Sequence, residues 1–388
     1  MASFGRLGNI TESVIREMTR LSERYGAINL SQGMPDFDPP SELIEAAINA
    51  LKNGYNQYPI TWGQKNLRDA IARKVKDYNK IDAHPDKNIT VTCGSSEAVT
   101  STILALINPG ETVVVTDPFY ENYVPDALIA GAKLSYIPFI GHDVRLDHEA
   151  LKSALEHKPK LIVLNTPNNP TGKIIDAESL KLIADLCEEY DTVAVVDEIY
   201  EHIIYNGKEH VSLASVGNMH DRTVTVSGAS KTYSVTGWRV GWSIAEENLS
   251  NSIRKIHDYL TIGAPTPFQE ALVTALNLPN SYYDRLAKMY EGKRDQMLKI
   301  LDEAEIEYYR PEGAYYILAE APVGFKDGLE YATNLIENAG VAVLPANALY
   351  YDKRLGNGKI RFAYCKKDET LREVGNRINK LKIQPRSR

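Results

Sequence analysis

The residues with the clearest chemical potential in this sequence are a lysine and an arginine in one short segment. Lys231 follows the small residues 227–230, and Arg239 comes shortly afterwards, behind Gly237 and Trp238. A lysine amine forms a Schiff base with a carbonyl compound, and a guanidinium, hydroxyls and backbone N–H groups together bind phosphate. One loop could therefore hold a phosphorylated aldehyde, although a surface lysine beside a structural arginine would give the same pattern.

Two further segments place polar side chains directly after short apolar runs. The run 193–196 is typical of a buried parallel strand, and Asp197 and Tyr200 follow it. An acid at the carboxyl end of such a strand points into the crevice where α/β sheets bind ligands. Another apolar run leads into the Pro- and Asn-rich turn 165–172, which would hold the Asn169 amide at a strand end. A helix N-cap at Asp197 and a purely structural turn are the simpler alternatives.

Together these segments resemble those of the fold-type I, class I/II aminotransferases, which use pyridoxal 5′-phosphate (PLP). The order is the family's, with Asn-Pro-Thr-Gly, then Asp-Glu-Ile-Tyr, then Ser-Lys and Gly-Trp-Arg, and the resemblance spans about residues 29–364. It implies that Lys231 carries PLP as an aldimine and moves the substrate Cα proton. It also implies that Asp197 keeps the ring nitrogen protonated, while Tyr200 and Asn169 meet the ring's phenolic oxygen.

The resemblance assigns roles to other residues as well. Ser95 and Ser96 match the helix start that binds the cofactor phosphate, where free N–H groups and the positive end of the helix dipole favour an anion. A serine found in many relatives is replaced by Gly228, so Ser230, or as second candidate Ser227, takes its place. The remaining assignments are Arg239 for the phosphate, Tyr120 for stacking on the ring, Tyr58 for the phosphate of the neighbouring subunit, and Gly33, Asn169 and Arg361 for the substrate and its α-carboxylate. Each of these also has a structural alternative, as an N-cap, a turn, a core aromatic residue or a surface ion pair.

The implied activity moves the amino group of an L-amino acid to a 2-oxoacid, expected to be 2-oxoglutarate, with ping-pong kinetics. The donor stays open among aspartate, aromatic, kynurenine, glutamine and methionine types. The segment 56–58 is more similar to the kynurenine, glutamine and methionine enzymes, and no second arginine for a side-chain carboxylate can be placed. A PLP-dependent carbon–sulfur β-lyase and a non-catalytic regulatory or partner-binding protein with the same fold remain as alternatives. A homodimer with shared active sites is expected.

Composition narrows the class of protein further. The chain has 388 residues, of which 43% are hydrophobic and 24% charged, and its net charge of −7 argues against a nucleic-acid partner. No apolar run approaches the roughly 20 residues that span a membrane. Three distant cysteines, Cys93, Cys187 and Cys365, and an N-terminus without an apolar core favour the cytoplasm. The histidines have no metal-ligand spacing, so no metal site is expected.

Short apolar strands alternate with helices between residues 88 and 245, which predicts an α/β fold with a mostly parallel sheet covered by helices. We expect an N-terminal arm and part of the small domain at 1–40, a large PLP-binding domain at 41–282, and a small α+β domain at 283–388. The strands are predicted at 89–92, 112–115, 133–137, 161–164, 193–196, 223–226 and 240–244, then at 315–318, 341–344 and 360–363, and the main helices at 11–25, 41–52, 64–78 and 285–303.

Overall fold

The structure, a computed structural model, describes residue 10 and residues 12–383. Its strands are β1 (Ile28–Asn29), β2 (Ile89–Thr92), β3 (Thr112–Asp117), β4 (Lys133–Ile140), β5 (Arg145–Leu146), β6 (Leu161–Asn165), β7 (Val193–Asp197), β8 (Thr223–Gly228), β9 (Gly241–Ile244), β10 (Tyr308–Tyr309), β11 (Tyr316–Glu320), β12 (Val341–Ala342), β13 (Leu344–Pro345) and β14 (Lys359–Ala363).

The α-helices are α1 (Val14–Tyr25), α2 (Ser41–Lys52), α3 (Lys65–Lys74), α4 (Ser95–Leu106), α5 (Tyr123–Ile129), α6 (His148–Glu156), α7 (Ala177–Tyr190), α8 (Ala229–Thr232), α9 (Glu247–Thr261), α10 (Thr266–Leu276), α11 (Asn280–Glu303), α12 (Gly328–Asn334), α13 (Lys353–Gly356) and α14 (Asp368–Ile383). Short 3₁₀ turns lie at Leu213–Ser215, Met219–Arg222 and Ala346–Leu349, and π turns at Val75–Asn79 and Leu335–Ala339. No helix in the described ranges has both the length and the apolar character needed to cross a membrane.

Eight strands form a large sheet in the order β2-β9-β8-β7-β6-β3-β4-β5. The central strands β8, β7, β6, β3 and β4 run parallel, and β9, β2 and β5 pair with their neighbours in the antiparallel sense. Successive residues of a strand face opposite sides of the sheet. Leu161 and Val163 therefore pack in the core that contains α4, while Ile162 and Leu164 pack in the core that contains α7. Residues 161–164 of β6 and 193–196 of β7 are continuous apolar runs because both faces of the sheet are covered. The predicted fold class is confirmed.

A second unit is built on the antiparallel sheet β10-β11-β14-β13. The parallel pair β1-β12 adds the N-terminal segment to this unit, and Ile15 and Leu30 are buried in the same core as residues of α11 and α14. The N-terminal segment thus packs with the C-terminal part of the chain, as its assignment to the small domain requires. The boundaries 1–40, 41–282 and 283–388 remain a proposal.

Several predicted elements differ from the observed ones at their ends. The helix predicted at 11–25 begins at Val14, with Ser13 as its N-cap, and ends at Tyr25, with Gly26 as its C-cap in the left-handed region (φ 59°). Its predicted first residue, Thr11, lies outside the described residues. The strand predicted at 341–344 is two short strands, because Val341–Ala342 pairs with β1 whereas Leu344–Pro345 pairs with β14.

Candidate cofactor and substrate site

A cavity of about 500 Å³ lies at the carboxyl ends of the parallel strands, where α/β folds bind ligands. Its opposite wall comes from the N-terminal segment and the small sheet. The structure brings most of the predicted site residues to this cavity: Gly33, Ser95, Ser96, Tyr120, Asn169, Asp197, Tyr200, Ser230, Lys231, Arg239 and Arg361.

Lys231 lies in the short helix α8, directly after β8. Its Nζ is 3.4 Å from the Gly33 carbonyl oxygen and 5.9 Å from the ring centre of Tyr200. Removal from water lowers the pKa of Lys231 to about 8, and the nearby cation of Arg239 acts in the same direction. A neutral, nucleophilic amine is therefore available near physiological pH, as a residue that attacks carbonyl groups requires.

Asp197 ends β7 and is 5% exposed. Tyr123 donates a hydrogen bond from its hydroxyl to Asp197 Oδ2 at 2.8 Å, and the Ile199 N–H donates to Oδ1 at 3.1 Å. Burial raises the pKa of Asp197 to about 6, while these two hydrogen bonds act to lower it. A cation placed against this carboxylate would lower the pKa further, so the position suits a protonated ring nitrogen.

One end of the cavity has the donors that a phosphate needs. Ser95 and Ser96 begin α4, a helix of 12 residues, so its free N–H groups face this end. Gly94 precedes them in the left-handed region (φ 83°), and a side chain there would collide with the Arg239 guanidinium. A helix N-terminus, hydroxyls and a guanidinium fit the phosphate of PLP.

The two serines considered for the phosphate have different surroundings. Ser230 lines the cavity. The Ser227 hydroxyl instead donates to Glu201 Oε1 at 2.6 Å, and Ser227 does not line the cavity. The arrangement favours Ser230 over Ser227.

Aromatic hydroxyls line the middle of the cavity. The hydroxyls of Tyr200 and Tyr316 are 3.0 Å apart. Burial raises the pKa of Tyr200 above its usual value and that of Tyr120 to about 12, so both phenols stay protonated at neutral pH. They are available as hydrogen-bond donors to a ring oxygen or as neutral stacking surfaces.

Arg361, on β14, is fully buried at the far wall. It donates to Asn169 Oδ1 at 2.7 Å and to the Ser31 carbonyl oxygen, and its guanidinium lies 4.3 Å from the ring centre of Tyr316. Its Nε has no partner among the described residues although it is buried. A buried, unpaired N–H of a cation requires an acceptor, and a substrate carboxylate would supply one.

Gly33 lies where the N-terminal segment approaches the small sheet. Its carbonyl oxygen accepts a hydrogen bond from the Tyr315 hydroxyl at 3.0 Å. A Cβ at this position would collide with the Tyr316 hydroxyl and lie 2.7 Å from the Tyr315 ring. Only glycine allows this approach, which keeps the Gly33 backbone at the cavity.

Tyr58 is the one assigned residue that the chain does not bring to the cavity. Its side chain is 81% exposed, in a loop away from the lining residues. Its predicted contact with the phosphate of a neighbouring subunit therefore stays a prediction.

A buried group beneath the site could offer metal ligands that the spacing of histidines did not reveal. Among the described residues, Glu198, Glu201 and His210 bring one ligand atom each within 4.8 Å of one another. The ammonium of Lys74 lies 2.6 Å from Glu201 Oε2, and the Asn79 amide donates to the same oxygen at 2.7 Å. These donors already occupy the carboxylate, so the group forms a hydrogen-bonded ionic network. The absence of a metal site stays a prediction.

Several residues that line the cavity were not predicted from the sequence. Asn165 belongs to the same turn as Asn169, and its Oδ1 accepts from the Asn169 N–H at 2.7 Å. Tyr123 lies close to Tyr120 in the chain. Asn165 and Tyr123 therefore had a weak signal in the sequence, since each lies near a residue that was predicted. Arg16 and Tyr316 had none, because they come from segments without a motif.

Comparison with known proteins agrees with this geometry. The family described as "Aminotransferase class I and II" matches residues 25–378. A probable N-succinyldiaminopimelate aminotransferase (DapC) of Mycobacterium tuberculosis is 34% identical over 392 residues, with 98% of each chain covered. A methionine aminotransferase of Escherichia coli is 32% identical, with 97% of each chain covered. The solved structure of N-succinyldiaminopimelate aminotransferase from Mycobacterium tuberculosis has a TM-score of 0.95 and 34% identity, and covers 98% of this chain and 100% of that one.

The chain therefore belongs to the class I and II aminotransferases, enzymes that use PLP. The family and cofactor predicted from the sequence are confirmed, and the substrates of such enzymes are amino acids and oxoacids, which are small molecules. The relatives carry names with different amino donors, so membership of the family does not decide the donor.

Proposed function

We propose that this enzyme transfers the amino group of an L-amino acid to 2-oxoglutarate in two half-reactions with ping-pong kinetics. The observation that carries the proposal is that one cavity contains both a nucleophilic amine, Lys231, and a buried guanidinium with an unpaired N–H, Arg361. An α-amino acid and a 2-oxoacid both require a group that binds the α-carboxylate and an amine that takes part in the transfer. The cavity offers both groups, which favours amino-group transfer between the two compounds.

The chain's own side chains supply binding and proton transfer. Arg361 and Asn169 bind the α-carboxylate and orient the Cα–H bond, and the Gly33 backbone closes the same end. Lys231 Nζ would take the proton from the substrate Cα and then donate it to C4′ of the cofactor. Its lowered pKa allows it to act first as a base and then as an acid. Bound PLP supplies an electron-accepting ring for the charge that develops at Cα.

The remaining assignments concern the cofactor. We propose that Ser95, Ser96, Ser230 and Arg239 hold the phosphate, because they lie together at the end of the cavity where α4 begins. Tyr120 would lie against the ring, Asp197 would pair with the ring nitrogen, and Tyr200 and Asn169 would reach the phenolic oxygen.

The function is tested with purified holoenzyme, a panel of L-amino acids and 2-oxoglutarate, and glutamate as the measured product. We expect glutamate formation with at least one donor, together with parallel lines in double-reciprocal plots at several acceptor concentrations. Release of pyruvate from cystathionine without any oxoacid acceptor would instead support the β-lyase. PLP binding without turnover of either kind would support the non-catalytic alternative.

We further propose a homodimer in which Tyr58 completes the partner's site. The support is an exposed apolar surface around this residue: Tyr58 is 81% exposed, Tyr259 91%, and Ile60 and Ile262 about half. The two segments that carry them are in contact, since the Thr61 hydroxyl donates to the Asp258 carboxylate at 3.1 Å. Exposed apolar side chains that lie together are typical of an interaction site, which supports a subunit interface here.

Mixing two inactive variants tests this arrangement. Lys231→Ala and Tyr58→Ala are each expected to be nearly inactive as homodimers. If Tyr58 acts across the interface, each mixed dimer has one doubly damaged site and one intact site, so its activity should return to about half that of the wild-type dimer. The measurement is activity after subunit exchange, with exchange verified by two different affinity tags.

The matched control mixes Lys231→Ala with Asp197→Asn, whose side chains belong to one chain's cavity. That mixture should not recover, because neither site of the mixed dimer is whole. If activity returns in the control mixture, or fails to return in the mixture with Tyr58→Ala although exchange is verified, Tyr58 does not belong to a shared site.

A further inference from the structure

The cavity carries one cation more than the proposed function uses. Its described lining includes four cationic side chains, of Arg16, Lys231, Arg239 and Arg361. The last three have proposed roles at the amine, the phosphate and the α-carboxylate. Arg16 has none, although it lies at the mouth through which a substrate side chain would extend.

The position of Arg16 is held by the packing of its helix. It belongs to the first turn of α1, where Ser13 caps the helix by accepting from the Arg16 N–H at 3.3 Å. The preceding residue, Ile15, is 9% exposed and belongs to the core of the small unit. Because Ile15 anchors the turn, the exposed Arg16 side chain remains at the cavity mouth.

The Arg16 guanidinium has no hydrogen bond or ion pair with any described residue. Arg16 contributes least to the lowered pKa of the Glu12 carboxyl, whereas Arg20 binds Glu12 at 2.7 Å and is the main cause of that lowering. Glu121 also lines the mouth, but its carboxylate accepts from the Ser13 hydroxyl at 2.5 Å. Glu121 is thereby tied to the positive end of α1, which partly offsets its charge.

We propose that Arg16 binds a carboxylate on the substrate side chain, so that the enzyme prefers amino acids and oxoacids with a second acidic group. The inference rests on the proposed function, because it places the α-carboxylate at Arg361 and the amino group at Lys231. A side chain extending from that position reaches the mouth, where an unpaired guanidinium offers two parallel N–H donors to a carboxylate. Arg16 is then a specificity-determining residue that makes no contact with the reacting atoms.

The test compares Arg16→Gln with wild-type holoenzyme on acidic and neutral substrates of similar length. We expect kcat/KM for L-glutamate and 2-oxoglutarate to fall about 10–100-fold, mainly through KM, since one partly solvated charge-assisted contact is lost. Values for L-methionine and 2-oxohexanoate should stay within about twofold. Equal losses on both classes, or no loss on the acidic one, would overturn the proposal.

Two variants calibrate this result. Arg20→Gln removes a second exposed arginine of α1 that pairs with Glu12 and does not line the cavity, so it should change neither class. Arg361→Lys should weaken every substrate, because all of them share the α-carboxylate. If Arg20→Gln has the same selective effect as Arg16→Gln, the effect comes from the charge of the helix and the proposal is wrong.

A binding measurement separates this inference from the proposed reaction. Succinate should bind the holoenzyme more tightly than butyrate, and Arg16→Gln should abolish the difference while leaving butyrate unchanged. This readout requires no turnover, so it tests Arg16 even if no amino group is transferred. Equal affinity of wild type for the two acids would contradict the proposal.

Discussion

Replacing Lys231 with alanine is expected to lower kcat by about 10²–10⁴-fold or more, the range that a positioned acid–base group contributes. We propose Lys231 as the amine that holds the cofactor and moves the Cα proton, because its pKa is lowered and it lines the cavity. Steady-state kinetics measure the loss. Borohydride treatment of the wild type, followed by peptide mapping, should find the reduced cofactor on Lys231.

Lys366 provides the matched control for this prediction. It is also buried, and its Nζ donates to the Met34 carbonyl oxygen at 2.7 Å, but it does not line the cavity. Lys366→Ala should keep the covalently trapped cofactor on Lys231. Finding the reduced cofactor on another lysine, or full activity in Lys231→Ala, would remove the central residue of the proposed site.

Asp197→Asn is expected to lower kcat by about 10²–10³-fold, the cost of losing one preorganised electrostatic contact. The loss should appear in kcat more than in KM, because the carboxylate acts when negative charge develops at Cα. Tyr123→Phe is the milder companion: it removes a hydrogen bond that lowers the pKa of Asp197 and leaves the carboxylate in place. A kcat near that of wild type in Asp197→Asn would show that Asp197 does not support the ring.

The same residue predicts a pH dependence of cofactor affinity. In the cofactor-free protein, burial raises the pKa of Asp197 to about 6, so the carboxyl group is neutral below that pH and anionic above it. A protonated ring nitrogen binds the anion, so PLP affinity of the wild type should fall as the pH drops through about 6. Asp197→Asn should lose that dependence, and Tyr123→Phe should move it to higher pH. Titrations of PLP at several pH values provide the measurement.

The large sheet could be predicted because its strands are buried on both faces. Runs such as 161–164 and 193–196 are wholly apolar and are bounded by polar or turn residues. Their positions and lengths could therefore be predicted from the local sequence pattern. The two-residue strands β1, β5 and β10 could not be predicted. They carry no periodicity, and pairing with a distant strand alone defines them.

The part of the site on the large sheet could be predicted for a related reason. Asp197 ends β7, whereas Asn169 and Lys231 follow β6 and β8, and the carboxyl ends of these adjacent parallel strands meet at one edge. On the opposite wall, Gly33 and Arg361 were predicted from the resemblance to the family. Arg16 and Tyr316 were not, because they reach the cavity through the packing of α1 and β11 in the small unit. Local sequence does not encode that long-range contact, so the role that we propose for Arg16 could not be predicted.

The lining of the cavity is divided along the chain, and this division suits directed evolution. Most side chains proposed for the cofactor lie between residues 95 and 239, whereas Arg16, Gly33, Tyr316 and Arg361 come from the first and last stretches. A saturation library at position 16 would therefore vary the proposed contact with the donor without changing any side chain that we propose for the cofactor. Variants that retain PLP after purification could be sorted first, and only those would then be screened for new amino donors.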